Sequence, residues 1–353
     1  MNLHPIIWPM KNNFRSDNET PVAPQIWQAL EKANQGTAWA YAEDQWSERL
    51  DAAFSELFET ETRVLPLATG TAANSIALAS VTPPWGTVFC HSAAHISSDE
   101  SGAPEFFGNG LRLVQIDGTE GKIKPADLEA AIHASEGHGI HSYVPSALSI
   151  TQSTESGTVY RPDELKSLYK IALDKGMSTH MDGARFGNAV AALGCSPANC
   201  SWKTGAQMLS FGASKNGCMA AEALLFFGTP PDVYETAERH RKRSGHLLSK
   251  MRYVSAQLLA YIEDDLWLRL AGHANQQAAK FAQTIESHPV ATLEFPVGAN
   301  EVFVRWTAED FRQLEDQGIQ FLLWPGQDDL ARFVFGHSTT NEDTRTLIQA
   351  FGS

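Results

Sequence analysis

One lysine stands at the centre of the stretch Leu209-Ser210-Phe211-Gly212-Ala213-Ser214-Lys215-Asn216-Gly217-Cys218. An apolar run leads the chain inward, and small residues then surround Lys215. Lysine is rarely buried unless it is paired or chemically used, because removing an ammonium group from water is costly. A lysine among Gly, Ala and Ser suits Schiff-base chemistry, in which a neutral amine reaches a carbonyl carbon. The alternative for this stretch is an exposed lysine in a turn.

A second motif, Thr179-His180-Met181-Asp182-Gly183-Ala184-Arg185, lies upstream of the lysine. It brings a carboxylate to the end of a predicted strand, where open α/β sheets bind their ligands. Pyridoxal 5′-phosphate (PLP) needs a lysine for its aldehyde and a carboxylate that holds the proton on its pyridine nitrogen. Asp182 and Lys215 together therefore predict a PLP site, in which the protonated ring acts as an electron sink.

The His-x-Asp-Gly-Ala-Arg motif followed by Ser-Lys resembles the fold-type I PLP enzymes, and more narrowly the threonine aldolase and β-eliminating lyase group. The resemblance runs from about residue 15 to residue 332. With the strand-helix alternation before Lys215, it implies an α/β fold: a transferase-like large domain with a mostly parallel sheet, and a small C-terminal α+β domain. We expect the N-terminal segment and large domain over residues 1–246 and the small domain over 247–353. The resemblance also implies a homodimer or homotetramer with shared active sites.

An anion site is predicted where Val64-Leu65-Pro66-Leu67 meets Ala68-Thr69-Gly70-Thr71-Ala72-Ala73-Asn74. A strand, a turn of small residues and a helix N-terminus leave free N–H groups that can bind a phosphate. A tight turn alone would also explain the glycine. The resemblance assigns the PLP phosphate to Gly70, Thr71 and Ala72. The basic run Arg239-His240-Arg241-Lys242-Arg243-Ser244-Gly245-His246 is either a solvated helix face or a further source of positive charge, and in the family this region reaches a neighbouring subunit's site.

Two side chains are candidates for proton transfer. The resemblance assigns the imidazole of His95 to the face of the PLP ring, with Glu100 as its acidic neighbour, and a histidine nitrogen also exchanges protons near neutral pH. A structural histidine is the alternative. Glu155 stands where the best-known threonine aldolases often have a histidine. It is either an acid/base, a residue that orients His95, or an exposed carboxylate in a turn.

Two arginines are candidates for holding a substrate carboxylate. Arg332 lies in an apolar strand predicted over residues 330–335, where an unpaired guanidinium would be costly. The resemblance assigns Arg332 to the carboxylate, whose geometry a planar guanidinium matches. Arg185 either pairs with Asp182 or, as the resemblance implies, points at cofactor and substrate.

Two further residues gain a role only from the resemblance. Ser16 lies in an Arg-Ser-Asp sequence that the family also carries, and there the serine helps to hold the substrate carboxylate; helix capping is the alternative. Tyr41 matches an active-site tyrosine of the family, although its loop lacks the usual glycine, and by itself it would be assigned to packing.

The composition of the chain limits the classes of protein to which it can belong. With 353 residues, 43% of them hydrophobic and 19% charged, it is a globular protein with room for a large and a small domain. A formal net charge of −14 argues against nucleic-acid binding. The cysteines match no zinc spacing, which predicts no metal site and favours free thiols in a reducing cytoplasm. No signal peptide is evident in residues 1–14, and no run of about eighteen apolar residues predicts a membrane span. We expect a cytoplasmic enzyme for a small-molecule amino acid, without a nucleic-acid or membrane partner.

The resemblance implies retro-aldol cleavage of a β-hydroxy-α-amino acid, such as L-threonine, L-allo-threonine or phenylserine, to glycine and an aldehyde. In this reaction Lys215 is the catalytic lysine, and a base takes the β-hydroxyl proton as the Cα–Cβ bond breaks. β-Elimination or amino transfer on the same cofactor is the alternative, and it would yield ammonia, or an oxo acid and an aminated partner. A binding protein that retains the fold without chemistry is a further alternative, which the Asp182 and Lys215 pair disfavours.

Overall fold

The computed structural model describes residues 11–137 and 139–352, which form two β-sheets flanked by helices. The strands are β1 (Thr62–Leu67), β2 (Gly86–His91), β3 (Arg112–Ile116), β4 (Val144–Thr151), β5 (Ser178–Gly183), β6 (Met208–Gly212), β7 (Glu222–Phe227), β8 (Thr292–Leu293), β9 (Glu301–Arg305), β10 (Leu322–Leu323) and β11 (Leu330–Val334). The helices are α1 (Pro24–Ala33), α2 (Leu50–Phe58), α3 (Gly70–Val81), α4 (His95–Ser98), α5 (Ala103–Phe107), α6 (Pro125–Ser135), α7 (Pro162–Asp174), α8 (Phe186–Leu193), α9 (Pro231–Arg243), α10 (Arg252–Ile262), α11 (Leu266–Glu286), α12 (Ala308–Asp316) and α13 (Asn341–Phe351).

The large sheet has the strand order β1-β7-β6-β5-β4-β2-β3. Neighbours from β6 to β3 pair in parallel, whereas β7 runs antiparallel to both β1 and β6. Helical crossovers cover both faces of a parallel sheet, which explains why β2, β6 and β7 are buried along their whole length. Pro66 is tolerated in β1 because this strand lies at the sheet edge. Because β7 alone runs in the opposite direction, the carboxyl ends of the other strands lie at one edge of the large sheet.

The small sheet, β10-β11-β9-β8, is antiparallel throughout. Phe14, near the start of the chain, lies in the core of this sheet. Two backbone hydrogen bonds hold it there: the Phe14 N–H donates to the Gln320 carbonyl, and the Val334 N–H donates to the Phe14 carbonyl. This anchoring directs the next turn, Asp17–Glu19, to the turn Ser214–Asn216 that follows β6. The N-terminal segment thus runs from the small sheet to the carboxyl edge of the large one.

One helix joins the two cores. The first residues of α11, Leu266 and Trp267, belong to the core of the large sheet, whereas Phe281 and Ile285 near its end belong to the core of the small sheet. Helix α10 precedes α11 in the chain. Its large buried apolar side chains all belong to the core of the large sheet, where it packs on α1 and α2. The predicted domain division after residue 246 stays a prediction.

Cys195 and Cys200 are joined by a disulfide, so the expectation that all cysteines are free thiols is wrong for this pair. The chain turns back between them, since the Cys200 N–H donates to the carbonyls of Ser196 and Pro197, and this brings the two Cα atoms to 6.6 Å. In the described ranges no helix is long and apolar enough to cross a membrane. Residues 1–10, for which we predict no signal peptide, lie outside the described residues.

Candidate active site

Side chains from neighbouring strands meet at the carboxyl edge of the large sheet. Asp182 lies in β5, and Lys215 follows β6, which pairs in parallel with β5. On the other side of β5, β4 leads into the turn that carries Glu155, and β2 leads to His95, the first residue of α4. Parallel strands leave their carboxyl ends at one edge, so residues distant in sequence converge there.

A hydrogen-bonded chain joins Asp182 to His95. Asp182 is buried, and its Oδ2 accepts a hydrogen bond of 2.9 Å from Asn74 Nδ2, while its Oδ1 accepts one of 3.1 Å from the Ala184 N–H. Asn74 Nδ2 also donates to Glu100 Oε1 at 2.9 Å, and that oxygen lies 2.8 Å from His95 Nδ1. An amide, not a cation, therefore bridges the two buried carboxyl groups, so that Asp182 is oriented without being neutralised.

The contact with Glu100 determines which atom of His95 is available. The hydrogen bond with Glu100 raises the pKa of His95, although partial burial opposes this. Burial raises the pKa of Glu100, and the bond to His95 opposes that effect. Because Nδ1 faces Glu100, Nε2 is the nitrogen left for a ligand or a proton. The imidazole is 33% exposed, which leaves that nitrogen accessible.

Close packing defines the turn that carries Lys215. A Cβ atom at Gly212 would lie 2.3 Å from the carbonyl oxygen of Ala184, so glycine is required where the end of β6 approaches the segment after β5. On the other side of the lysine, Asn216 Nδ2 donates to the Tyr261 hydroxyl at 2.7 Å. The backbone is thus held on both sides of Lys215.

A buried carboxyl group, Glu222, also supports this turn. Its oxygens accept hydrogen bonds from the N–H groups of Ala213 and Ser214 at 3.0 and 3.4 Å. Burial raises the pKa of Glu222 to about 7, against these hydrogen bonds and the charge of Lys215. Glu222 therefore fixes the two peptide groups that precede the lysine.

Arg185 pairs with Asp17, so the alternative that it pairs with Asp182 is wrong. Its Nε lies 2.7 Å from Asp17 Oδ2 and its Nη2 lies 3.0 Å from Oδ1, the two-fold arrangement that a guanidinium makes with a carboxylate. Burial opposes ionisation of Asp17, but the charges of Arg185 and Lys215 outweigh it and lower the pKa of this carboxyl. Asn300 Nδ2 adds a hydrogen bond of 3.1 Å to Asp17. The pair locks Arg185 in one orientation.

Arg332 reaches the same region from the small sheet. Its Nη1 lies 3.5 Å from Glu301 Oε1, and Arg185 Nη2 lies 3.3 Å from the same oxygen. Burial raises the pKa of Glu301, and the two guanidinium charges offset part of this effect. Arg332 Nε is buried and has no hydrogen-bond partner among the described residues. The structure thus brings together the two arginines for which the sequence predicts carboxylate binding.

Glu155 lies in the electrostatic field of these groups. Its turn is held by Thr154 Oγ1, which accepts hydrogen bonds from two following N–H groups at 3.3 and 3.2 Å. After the larger effects of Glu100 and burial, its charge contributes to the raised pKa of His95. After burial, it also contributes to the raised pKa of Glu301. Its carboxylate therefore acts electrostatically on both His95 and Glu301.

The N-terminus of α3 presents open backbone donors. Thr69 Oγ1 accepts a hydrogen bond from the Ala72 N–H, and the Thr69 carbonyl accepts one from the Ala73 N–H, each at 3.2 Å. Within the helix this leaves the N–H groups of Gly70 and Thr71 without partners. A Cβ atom at Gly70 would meet no atom within 4 Å, so there is space at this end of the helix. Of the three residues predicted to bind phosphate, Ala72 already has its N–H engaged.

One arginine of the basic run is buried beside α3. Arg241 lies on α9, which packs against α3, and its Nε and Nη1 have no hydrogen-bond partner among the described residues. Its nearest carboxylate is that of Glu238, with Nη2 and Oε1 4.0 Å apart. Burial lowers the pKa of Arg241. A buried guanidinium with two such unsatisfied nitrogens favours an anion nearby.

Two predicted substrate residues have other contacts. Ser16 Oγ accepts a hydrogen bond of 3.2 Å from the Asn18 N–H, so it caps the short turn Asp17–Glu19 and not helix α1. Tyr41 is half exposed, its ring lies 4.7 Å from Lys242 Nζ, and its N–H donates to the Ser249 carbonyl at 3.1 Å. These contacts join Tyr41 to the 242–249 segment and not to the other candidate residues.

Three side chains of this site have little or no signal in the sequence. Asn74 and Glu301 carried a weak indication, because each is a polar residue in an otherwise apolar buried element. For Asp17 the sequence gives no indication of a role in the site other than its position next to Ser16. Each of the three has one partner more than a hundred residues away in sequence, and single-sequence patterns do not report such pairs.

Comparisons with known proteins point to one family. The model of the beta-eliminating lyase family matches residues 13–309. A low specificity L-threonine aldolase of Pseudomonas aeruginosa is 42% identical over 336 residues, 95% of this chain and 96% of that protein. A second enzyme with that name, from a Pseudomonas sp. strain, is 42% identical over 335 residues and 95% of each chain. The solved threonine aldolase of Leishmania major is 24% identical, has a TM-score of 0.90, and matches 96% of this chain and 98% of its own. The fold predicted from the motifs, that of the fold-type I enzymes, is thereby confirmed.

Proposed function

This chain belongs to the beta-eliminating lyase family, and we propose that it is a PLP-dependent lyase that cleaves L-threonine and related β-hydroxy-α-amino acids to glycine and an aldehyde. The observation that carries the proposal is the arrangement of Asp182, Lys215 and His95 at one sheet edge, in a chain 42% identical to two low specificity L-threonine aldolases. L-Threonine, L-allo-threonine and phenylserine are the substrates that we propose.

The residues at the sheet edge fit PLP chemically. Bound PLP withdraws electrons from the Cα atom of an amino acid through its protonated pyridine ring. Asp182 would hold the pyridine nitrogen, because it is a buried carboxylate whose oxygens are oriented by Asn74 and a backbone N–H. Lys215 would hold the aldehyde carbon, and His95 would cover one face of the ring. The open N–H groups of Gly70 and Thr71 suit the phosphate.

The substrate carboxylate would bind to Arg185 and Arg332. Arg185 is held rigidly by Asp17, so it presents the same donors to each substrate molecule. The Arg332 side chain is 17% exposed, and its one ion contact with a described residue is the 3.5 Å contact with Glu301, so its guanidinium can take a second partner. Two planar guanidinium groups that converge from different sheets fix the orientation of the bound amino acid, and with it the direction of the Cα–Cβ bond.

A base must then take the β-hydroxyl proton while the Cα–Cβ bond breaks. We assign this step to His95 Nε2, because Nδ1 is occupied by Glu100. The buried Glu100 carboxylate stabilises the imidazolium that forms, which favours proton transfer to the ring. Glu155 would keep the site negative on that side and help to retain the proton.

We also propose that the protein functions as a homodimer or homotetramer in which subunits share sites. Trp39, Tyr41 and Leu248 are exposed apolar side chains that lie near one another, because the Tyr41 N–H donates to the Ser249 carbonyl. Such side chains on one surface favour association with a second copy. Light scattering on the purified protein measures the oligomeric state, and a monomer at micromolar concentration would contradict this proposal.

The function is tested by product analysis. PLP-loaded protein is incubated with L-threonine or L-allo-threonine, and we expect glycine and acetaldehyde in equal amounts. The matched control is Lys215→Ala loaded with PLP, which should form neither product. Ammonia with an oxo acid would identify a β-eliminating activity instead, and an oxo acid formed only with an acceptor would identify amino transfer.

A further inference from the structure

The carboxylate of Glu301 is shared by the two arginines of the site. Its Oε1 lies 3.3 Å from Arg185 Nη2 and 3.5 Å from Arg332 Nη1, and its side chain has no exposed surface. Neither of its oxygens makes a well-formed hydrogen bond with a described residue. The charge of Glu301 is therefore balanced by the two guanidinium charges, without the hydrogen bonds that usually compensate a buried carboxylate.

The charged groups that face Glu301 come from four other segments of the chain. They are Arg185 after β5, Arg332 on β11, Glu155 after β4 and Asp17 in the N-terminal turn. With all of them ionised, two positive groups meet three negative ones, since Glu301 itself is the third carboxylate. An amino-acid carboxylate beside the arginines would add a further negative charge at a site removed from water.

We infer that Glu301 is a positioning residue of the substrate site, which holds Arg185 and Arg332 in the free protein and takes up a proton from solvent when an amino-acid carboxylate binds to them. The inference rests on the proposed function, since it requires these arginines to bind the substrate carboxylate. The proton keeps the charge of the pocket constant, and protonated Glu301 releases both guanidinium groups to the ligand.

Burial makes Glu301 the group best suited to accept this proton. Burial already raises its pKa in the presence of both arginines, and a ligand that competes for the same guanidinium charges raises it further. Because the pKa is then higher in the complex than in the free protein, binding takes up a proton at pH values between the two, and the Kd increases with pH in that window. Asp17 is unsuited, since Arg185 and Lys215 lower its pKa against the effect of burial.

The test is calorimetric. Glycine is titrated into the PLP-loaded protein and into PLP-loaded Glu301→Gln, in pairs of buffers with different ionisation enthalpies, between pH 6 and 9. Proton exchange by the glycine amine is common to both proteins, so the difference in proton uptake reports on residue 301. We expect the wild-type protein to take up as much as about one proton more per site than the variant. Its Kd for glycine should rise by up to about tenfold per pH unit relative to the variant.

The matched control is Glu294→Gln, which removes an exposed carboxylate paired with Arg305 next to the same sheet, and should match the wild type.

A second measurement needs no variant. Ethanolamine carries the amine of glycine without the carboxylate, so its binding to the wild-type protein should lack the extra proton uptake. Equal proton uptake with both ligands, or in wild type and Glu301→Gln, would overturn the inference. If the protein cleaves threonine and binds glycine but shows that equality, only the role of Glu301 fails. If it binds glycine with the expected difference but cleaves no β-hydroxy amino acid, the proposed reaction fails and the role of Glu301 stands.

Discussion

Replacing Asp17 by asparagine tests the buried pair that orients Arg185. The carboxylate makes two contacts with the guanidinium, at 2.7 and 3.0 Å, and both side chains are almost fully buried. Removing one partner from a buried ion pair costs about 3–5 kcal/mol, because the other charge stays buried. Arg185 retains Glu301 at 3.3 Å, and the asparagine oxygen retains one acceptor. We therefore expect the lower end of this range, a loss of about 3 kcal/mol in the free energy of unfolding.

The assay is urea unfolding at neutral pH, followed by circular dichroism and by tryptophan fluorescence, with coincident transitions as the test of two-state behaviour. The matched control is Asp163→Asn, which breaks an exposed pair with Arg161 and should leave the midpoint unchanged. A loss for Asp17→Asn no larger than that of the control would refute the reasoning.

The pH dependence gives a second check on the same pair. The pKa of Asp17 is lowered in the folded protein by Arg185 and Lys215 acting against burial, so its contribution is complete above the ordinary value of 3.8 and is lost as the pH falls through the folded value. The difference between the wild type and Asp17→Asn should therefore be constant from pH 6 to 8 and should shrink below about pH 4. A difference that stays constant into this acid range would show that the ion pair is not its source.

Four further substitutions address the proposed chemistry. Lys215→Ala should abolish covalent attachment of PLP, which is measured as the mass added to the chain after borohydride reduction. Arg332→Lys should raise the KM for threonine by about tenfold or more while the affinity for PLP changes little, because lysine keeps the charge and loses the planar pair of donors. His95→Phe should bind PLP nearly normally and lose about a hundredfold in kcat, because phenylalanine keeps the ring face and removes the nitrogen. Glu155→Gln is its comparison and should keep most of the activity if His95 is the base.

For each of these substitutions, one outcome would contradict the expected result. If PLP is found attached to another lysine in Lys215→Ala, that lysine and not Lys215 binds the cofactor. An unchanged KM in Arg332→Lys would leave carboxylate binding to Arg185. Near-normal turnover in His95→Phe, together with a large loss in Glu155→Gln, would transfer the role of base to Glu155.

Residues within short motifs could be predicted from the sequence because each is tied to a local structural feature. Asp182 and Lys215 follow predicted strands, and Gly70 begins a helix directly after one, so the strand order of an α/β fold already implies one common edge. Arg332 could be predicted because a guanidinium in an apolar strand requires a partner. Cys195 and Cys200 were misassigned, since the local turn that brings them together leaves no clear spacing signature.

The sequence alone indicated the α/β class, because strand and helix periodicity and small-residue turns are local properties of the chain. It also predicted a PLP site at the motif residues. Only the tertiary structure decided how those residues are held. Asp17 reaches Arg185 because Phe14 is anchored in the core of the small sheet, and Glu301 meets Arg332 because β9 and β11 are neighbours. Asn74 bridges two buried carboxyl groups because α3 packs across the large sheet. These contacts join residues far apart in the chain, and their strength depends on burial, which packing of the whole molecule creates.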